Sequence, residues 1–290
     1  MGIHLAITLF VCLPLGSRQE PPADTQPENV EEVVTTVEEA VAERLLKQHG
    51  EATRAGDSPG LVVVLRKMSA HDNASFAAPG LKSLGYRASK ADKAAAKLEA
   101  EELGLKGKKE LEAIENLRVS AVQAAAARLL GNQLGNKKVA SALERLFRDK
   151  DLRKDRPEAC AAVILSMGKL EVQKSEQDIF SLLKSNPQED IARACVRYFG
   201  LIKTKDKSIV RTLCTELDAP APADVNGGTN PPAGYWEQRW KTWNAIRRDV
   251  SWALKEITGQ VFRPAEGDHP SDSRKALEYI KEHAKELGIR

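Results

Sequence analysis

Apolar positions recur along the chain at intervals of three and four residues, and four such stretches end in the same way. Each closes on a large apolar residue followed by glycine: FAAPGLKSLG (76 to 85), VQAAAARLLG (122 to 131), ACAAVILSMG (159 to 168) and IARACVRYFG (191 to 200). The closing glycines, which stand 46, 37 and 32 residues apart, are Gly85, Gly131, Gly168 and Gly200. Intervals of this size are typical of two-helix repeats, so the pattern predicts helices that end at these glycines.

The positions before the glycines also share a chemical character. The residue four positions before each glycine is apolar, as is the residue directly before it, and this spacing lays one apolar stripe along a helix. Alanine stands six positions before three of the glycines and would let a neighbouring helix approach closely, whereas Pro79 in the first stretch would kink its helix. The large apolar residues directly before the glycines are Leu84, Leu130, Met167 and Phe199.

A short polar break and a second apolar-periodic segment follow each of the last three glycines. These segments are KKVASALERLF (137 to 147), SEQDIFSLLK (175 to 184) and SIVRTLCTEL (208 to 217). The spacing of their leucines and isoleucines gives each predicted helix one apolar face. The alternation predicts pairs of helices in which each pair stacks on the next. The alternative is an irregular helical bundle with accidental Leu-Gly endings.

The region upstream is also predicted to be helical. An apolar stripe from Val34 to Leu45 stops at Gly50. Ser89 and Asp92 have the spacing of a capping box before an alanine-rich segment, which predicts that a helix begins there. The run LVVVLRKM (61 to 68) fits a strand or a buried helix, and its position between helices favours a helix.

Three of the four tryptophans stand within YWEQRWKTW (235 to 243). At about 100° per residue their side chains fall on one side of a helix, which predicts a buried stripe. This stripe comprises Trp236, Trp240, Trp243, Val250 and Leu254. Trp252 points to nearly the opposite side and could pack on a C-terminal helix or lie exposed. The alternative is that the rings form an exposed platform for a sugar or a peptide.

The segment DAPAPADVNGGTNPPAGY (218 to 235) precedes this helix. Its four prolines and three glycines disfavour helix and strand. A loop this long is uncommon inside a compact array and is often functional when it is ordered. The two interpretations are a loop that contacts a partner and a disordered insertion.

The N-terminus has the pattern of an export signal. The apolar run from Leu5 to Gly16 is too short to span a bilayer and fits a secretory signal. Residues 1–17 are therefore predicted to be cleaved, residues 18–28 to form a polar Pro-rich spacer, and the mature chain to be periplasmic or extracellular without a transmembrane segment. The alternatives are a lipid anchor at Cys12 and a cytoplasmic chain with a misassigned start.

The sequence contains no motif that indicates catalysis, and no cofactor or metal is predicted. G-x-S-x-G, P-loop and H-E-x-x-H motifs are all missing. The cysteines at 160, 195 and 214 have apolar neighbours and no short spacing, which predicts buried thiols and neither a disulfide framework nor a zinc site. The histidines that have polar neighbours are predicted at the surface; they are His49, His71, His269 and His283.

Composition and charge narrow the class of partner. Aromatic residues make up only 5% of the chain, and alanine, leucine, glutamate and lysine dominate, which favours helix over sheet. The net charge of +3 comes from 44 basic and 41 acidic residues. Nucleic acid attracts a clustered basic surface, so no nucleic-acid partner is expected.

The small-residue first helix ending in Leu-Gly, the polar turn and the leucine-rich second helix resemble HEAT-like repeats. VSWALKEITGQVF (250 to 262) is similar to the last repeat of exported bacterial HEAT-repeat proteins, which ends A-L-x-x-I/L-T-G-Q-x-F. The resemblance implies an all-α fold, an α-solenoid in which antiparallel helix pairs form a right-handed superhelix. Its predicted parts are divergent helical pairs (29–115), HEAT-like repeats (116–217), the Pro/Gly-rich loop (218–235) and a C-terminal repeat with a capping helix (236–290).

The resemblance also implies function, because α-solenoids of this kind bind other macromolecules, and the resemblance provides no catalytic residues to transfer. We expect a non-enzymatic scaffold for a protein partner, with Trp252, Asn226 and Tyr235 as candidate contacts. The alternative is a carbohydrate or cell-envelope binding module that uses the tryptophans. HEAT-like enzymes are a remoter alternative: Trp240, Trp243 and Asp249 faintly resemble an alkylpurine DNA glycosylase set, chromophore lyases share the scaffold, and the His-Glu pairs of deoxyhypusine hydroxylases are missing.

Overall fold

A computed structural model describes residues 30–185, 187–220 and 233–290, with side chains from residue 38 onward in the first segment and from 234 in the last. The described residues form thirteen α-helices and one 3-10 turn, and contain no strand beyond an isolated bridge between Glu266 and His269. The all-α prediction is therefore confirmed. The predicted export signal, the spacer and Asn226 lie outside the described residues.

The helices of the N-terminal half are α1 (Val30–Ala55), α2 (Ser58–Met68), α3 (Ala77–Leu84), α4 (Lys90–Glu102), α5 (Lys108–Leu130) and α6 (Lys137–Phe147). Those of the C-terminal half are α7 (Lys150–Asp155), α8 (Pro157–Lys169), α9 (Glu176–Lys184), α10 (Glu189–Leu201), α11 (Lys207–Thr215), α12 (Ala233–Thr258) and α13 (Ser273–His283). The 3-10 turn is Ala74–Phe76.

Contacts between Cα atoms divide the chain into two units, Met1–Glu39 and Ala40–Arg290. In the first unit the structure describes the helical backbone from Val30 onward, which is the start of α1, and the exposed side chains of Glu38 and Glu39. All contacts reported below between side chains belong to the second unit. Among the described residues, no helix is both long enough and apolar enough to cross a lipid bilayer.

Short polar side chains fix where several helices begin. The Ser89 hydroxyl accepts from the Asp92 backbone N–H, and the Asp92 carboxylate accepts from the Ser89 N–H, so the predicted capping box is present at the start of α4. Asn136 and Asp206 cap α6 and α11 by each accepting two backbone N–H groups. The run at 61–68 lies in α2, as predicted, behind the cap residue Asp57.

The helices that carry the glycine endings pack side by side. Helix α5 packs against α8, α8 against α10, and α10 against α12. Two hydrogen bonds set the register of α5 against α8: the Ala159 N–H donates to Ser120 Oγ, and Ser166 Oγ donates to the Ala127 carbonyl. Since both partners advance together along the chain, α5 and α8 run parallel.

Three of the repeated glycines lie at close approaches between helices in this row. A Cβ on Gly131 would lie 3.2 Å from the Cα of Ser166, and one on Gly168 the same distance from the Cα of Tyr198. A Cβ on Gly200 would lie 2.9 Å from the Cα of Ala253. At Gly200 this separation leaves no room for a side chain, and at Gly131 and Gly168 a side chain would require the neighbouring helix to shift, so glycine lets each helix lie close to the backbone of the next.

The structure corrects the prediction that every glycine ends its helix. Gly168 and Gly200 lie inside the last turns of α8 and α10 and do not end these helices. Close contact with the next helix, and not helix termination, accounts for glycine at these positions. Gly85 follows α3 but meets only its own helix. In that helix Gly80 takes the close contact instead, against Leu130 of α5. Pro79 lies in the first turn of α3, where no intrahelical N–H bond is lost.

A second set of helices covers this row. Helix α6 packs on α8, α9 on α10, and α11 on both α12 and α13. The second helix of each predicted pair therefore packs against the first helix of the following pair. The short helix α7 also packs on α8 and was not predicted, because five of its six residues are charged and only Leu152 is buried.

The core between these helices combines alanines with a few large side chains. The residues before the glycines, Leu130, Met167 and Phe199, are fully buried. Phe199 makes edge-to-face contacts with Phe180 at 6.3 Å and Tyr198 at 5.5 Å between ring centroids. The three predicted buried thiols lie in the same core, as free cysteines.

The C-terminal segment closes the row at α12. Gly259 has a positive φ of 76°, and the Thr258 hydroxyl accepts from the Gln260 N–H, so the T-G-Q sequence ends the helix in a tight turn. The turn returns Phe262 to the core. The last residue is tied down by backbone bonds, since Lys207 N–H donates to the Arg290 carbonyl and Arg290 N–H to that of Lys205.

Candidate functional site

The residues predicted to contact a partner do not form one site. Tyr235 is 44% exposed in the first turn of α12. Trp252 is half-buried, with the edge of its ring against Gly200 of α10. At about 1.5 Å per residue the two lie about 25 Å apart along the helix. Trp252 is thus mainly part of the contact between α10 and α12.

The predicted tryptophan stripe is buried only toward its C-terminal end. Trp243 is 4% exposed, and its Nε1 donates to the carbonyl oxygen of Glu216 at 3.0 Å. Trp240 is 45% exposed, so the prediction that its ring is buried is wrong. Trp236 is half-buried and lies edge-to-face with Tyr235.

The exposure of Trp240 follows from where α10 begins. Arg197 is bonded to Asp249, an offset of 52 positions, so the first residue of α10, Glu189, lies level with residue 241 of α12. The first turns of α12 therefore extend past the start of α10. Helical periodicity gives the direction of a side chain, but burial also needs a neighbouring element on that side.

Two arginines of α10 share one carboxylate of α12. Arg193 and Arg197 are four residues apart and so lie on one face of the helix. Arg193 Nε donates to Asp249 Oδ2 at 3.0 Å, and Arg197 Nε donates to Oδ1 at 2.7 Å. The Asp249 side chain is 8% exposed, whereas each arginine is 48% exposed. The buried carboxylate thus fixes two half-exposed guanidinium groups.

These arginines form one wall of a groove that crosses α8. The groove has a volume of about 450 Å³, which lies in the range of ligand-binding clefts. Three alanines contribute to its floor, and their small side chains are what make the depression. The remaining wall is Arg128 of α5, and the floor residues are Ala161, Ala162, Leu165 and Ala194.

The acidic residues of the groove are placed at one end of it. Glu158 and Asp190 stand in the first turns of α8 and α10. Glu158 Oε1 accepts from Arg128 Nη2 at 3.1 Å. The Nη groups of Arg193 and Arg197 have no hydrogen-bond partner among the described residues, so they can donate to a bound carboxylate or phosphate.

This groove was not predicted from the sequence. The spacing of Arg193 and Arg197 was a visible signal, but a basic pair at four residues is common on solvated helix faces. Its meaning depends on Asp249, which lies on another helix. The structure surrounds Asp249 with the two arginines, whereas Trp243 donates to Glu216 and lies edge-to-face with Trp240. Asp249 and the two tryptophans that resemble a glycosylase set therefore have different contacts.

A polar cleft of about 740 Å³ lies where the segment after α3 meets α5 and α7. Arg156 donates to Asp149 and to Gln123 at 2.7 Å each, and Gln123 donates to the Tyr86 carbonyl at 3.2 Å. The Tyr86 hydroxyl donates to Asp92 at 2.5 Å, and burial followed by this bond raises the pKa of Tyr86 to about 12. The network links the segments after α3, before α7 and after α7, and its polar groups are bonded mainly to one another.

A further cavity, of about 690 Å³, lies in the loop after α12. Asp272 accepts from the backbone N–H of Arg263 at 3.0 Å and from Lys275 Nζ at 2.9 Å. These bonds lower the pKa of Asp272 to about 2. The Asp272 carboxylate therefore links the two ends of the loop, and both of its oxygens already accept hydrogen bonds from Arg263 and Lys275.

His49 corrects the prediction that the histidines lie at the surface. It is 5% exposed, and its Nε2 lies 2.8 Å from Ser83 Oγ, which links α1 to α3. Burial, followed by the nearby Lys82 charge, lowers the pKa of His49 below its ordinary value. Within the described parts of the chain, no three His, Cys, Asp or Glu side chains group closely enough to hold a metal ion.

Comparison with known proteins identifies no family. No protein-family profile, no curated protein and no solved structure matches the chain. The resemblance to HEAT-like repeats therefore depends on the repeat residues themselves.

Proposed function

We propose that this protein is a non-enzymatic, exported HEAT-like scaffold, an α-solenoid that holds a protein partner on the surface formed by α5, α8 and α10. The observation that carries the proposal is the repeated contact of successive first helices at Gly131, Gly168 and Gly200. Arrays of helix pairs that contact mainly their neighbours expose long surfaces, and such surfaces bind macromolecules. Export is proposed on the apolar run at the N-terminus alone.

The groove across α8 supports a peptide as the bound group. Its floor is alanine and leucine, and its walls are arginines, a residue type enriched at protein interfaces. The distance from α5 to α10 is two interhelical spacings, about 16–20 Å, which about five or six extended residues would span. An extended segment of a partner therefore matches the groove in length and chemistry.

A photo-crosslinking experiment tests this function. A photoreactive amino acid at Leu165, on the floor of the groove, is compared with one at Leu134, which is 73% exposed at a turn away from it. We expect one protein to be crosslinked from position 165 and not from 134. That protein, once purified, should bind the unmodified chain. Equal crosslinking from both positions, or no direct binding, would contradict the proposal.

A second candidate function is binding of a glycan of the cell envelope. The observation that favours it is the exposure of Tyr235 and Trp240, since sugars stack on exposed aromatic rings. Titration with envelope glycans, followed by tryptophan emission, separates the two functions. A saturable change that Trp240→Ala abolishes would favour glycan binding, whereas unchanged emission would remove this candidate.

A further inference from the structure

We infer that the Arg193–Arg197 pair is a recognition site for an isolated peptide carboxylate, and that the partner segment carries one acidic group at a fixed position. This inference rests on the proposed function and adds the chemistry of the partner. It assigns Asp249 as the positioning residue that holds both guanidinium groups ready.

The geometry supports recognition of a carboxylate by the pair. Each guanidinium uses its Nε–H on Asp249, at 3.0 and 2.7 Å. The Nη–H groups are the donors that match the two oxygens of an incoming carboxylate. Because Asp249 already fixes both side chains, part of the rotamer entropy lost on binding has been lost on folding.

The charge around the pair specifies one acid and not a polyanion. Two arginines facing the one buried carboxylate of Asp249 leave one positive charge that Asp249 does not balance. Asp190, in the first turn of α10 and three residues before Arg193, is exposed and forms no ion pair among the described residues. A run of acids or a phosphate backbone would meet this carboxylate, whereas a single acid on the Arg197 side of the pair, about two helical turns from Asp190, would lie away from it.

The apolar floor specifies the residues around the acid. Ala161, Ala162 and Ala194 line the floor without a polar side chain; they are 9%, 2% and 1% exposed, so the half-buried Leu165 and Ala161 provide most of its accessible apolar surface. Small and apolar side chains next to the acid would bury this surface without leaving an unpaired polar group. The expected segment is therefore short and apolar with one acidic side chain or a C-terminal carboxylate.

Selection from a display library of random twelve-residue peptides tests the inference on the full-length protein. We expect the enriched peptides to share one acidic position. A representative peptide is then synthesised with Glu or Asp replaced by its amide, and separately with an amidated C-terminus. Removing the carboxylate that is recognised should weaken binding about ten- to hundredfold, as for a hydrogen bond to a charged group. The two syntheses distinguish a side chain from a chain end.

Two protein variants locate the effect. The triple variant Arg193→Gln, Arg197→Gln, Asp249→Asn removes the pair together with its buried carboxylate, so no unpaired buried charge remains. The control, Arg274→Gln, makes the same change in net charge at a 92% exposed arginine outside the groove. Removing the acid from the peptide should change its affinity for the triple variant by less than about twofold. The same removal should weaken binding to the Arg274→Gln control as much as it weakens binding to the wild type. Thermal unfolding verifies that both variants fold; if the triple variant does not, Arg193→Lys with Arg197→Lys replaces it, and should bind the acidic peptide at least several-fold more weakly.

The selection separates failure of the proposed function from failure of the carboxylate site alone. If no peptide is enriched on the wild-type protein, both the proposed function and this inference fail. If peptides are enriched without a shared acid, or the acid matters equally for the triple variant and the wild type, peptide binding stands and the carboxylate site is wrong.

Discussion

Substitution of Gly200 by alanine tests the packing of α10 on α12. A methyl group on Gly200 would lie 2.9 Å from the Cα of Ala253 and 2.6 Å from the Cζ3 atom of Trp252. The first neighbour is backbone and the second is a rigid ring, so neither can move aside by a simple rotation. The two helices would have to separate locally, and the contacts on both sides would loosen.

The expected loss of stability combines two opposing effects. Overpacking of a filled interface costs about 1–3 kcal/mol. Replacing glycine by alanine in a helix stabilises by at most about 1 kcal/mol, and by less in a last turn. The net destabilisation is therefore about 1–2 kcal/mol, and in a unit of this size it lowers the melting temperature by about 2–8 °C.

Gly50 provides the matched control. It lies inside α1, and a Cβ there would meet nothing within 4 Å, so Gly50→Ala should stabilise by about 0.5–1 kcal/mol through helix propensity alone. Urea unfolding of both variants, followed by far-ultraviolet circular dichroism, measures the difference. If Gly200→Ala were as stable as Gly50→Ala, the close contact between α10 and α12 would be refuted.

Three further predictions concern single side chains. Trp243→Ala should destabilise by about 3–5 kcal/mol because it empties a buried site, whereas Trp240→Ala should change stability by less than about 1 kcal/mol; urea midpoints compare them. Because the pKa of His49 is lowered by burial and by Lys82, the unfolded chain takes up its proton first as the pH falls. The stability that His49 contributes is present above its ordinary pKa of 6.5 and is lost below it, so His49→Gln should reduce the fall in urea midpoint between pH 7.5 and pH 5.5; an unchanged fall would contradict this. Burial raises the pKa of Cys160 and of Cys214 to about 12, so the helix thiols should react with a disulfide reagent only after unfolding, and reaction in the native state would contradict their burial.

Much of the helical architecture could be predicted from local signals. The segment 137–147 was predicted from its apolar stripe and matches α6 residue for residue; in the structure the side chain of Asn136 caps its start. The capping box at Ser89 locates the start of α4 in the same way. Such features depend on residues within one or two turns, which periodicity and capping rules describe.

The features that could not be predicted depend on residues far apart in the chain. Trp240 has the helical position of a core residue but lies beyond the start of α10. His49 has polar neighbours in sequence, yet Ser83 and α3 cover it. The groove across α8 requires Asp249 to lie beside two arginines 52 and 56 positions earlier. The sequence contained the repeat, but not the register between helices that decides these contacts.

The most direct test of the central claim measures the affinity of the crosslinked partner, once purified, for three forms of the protein by calorimetry. The forms are the wild type, the groove-filling variant Ala161→Met and Trp240→Ala, with thermal unfolding to verify that both variants fold. If the groove across α8 holds the partner, Ala161→Met should weaken binding about tenfold or more, and Trp240→Ala should leave it within about twofold. Full affinity of Ala161→Met together with loss of binding in Trp240→Ala would contradict the account and place the partner on the aromatic end of α12.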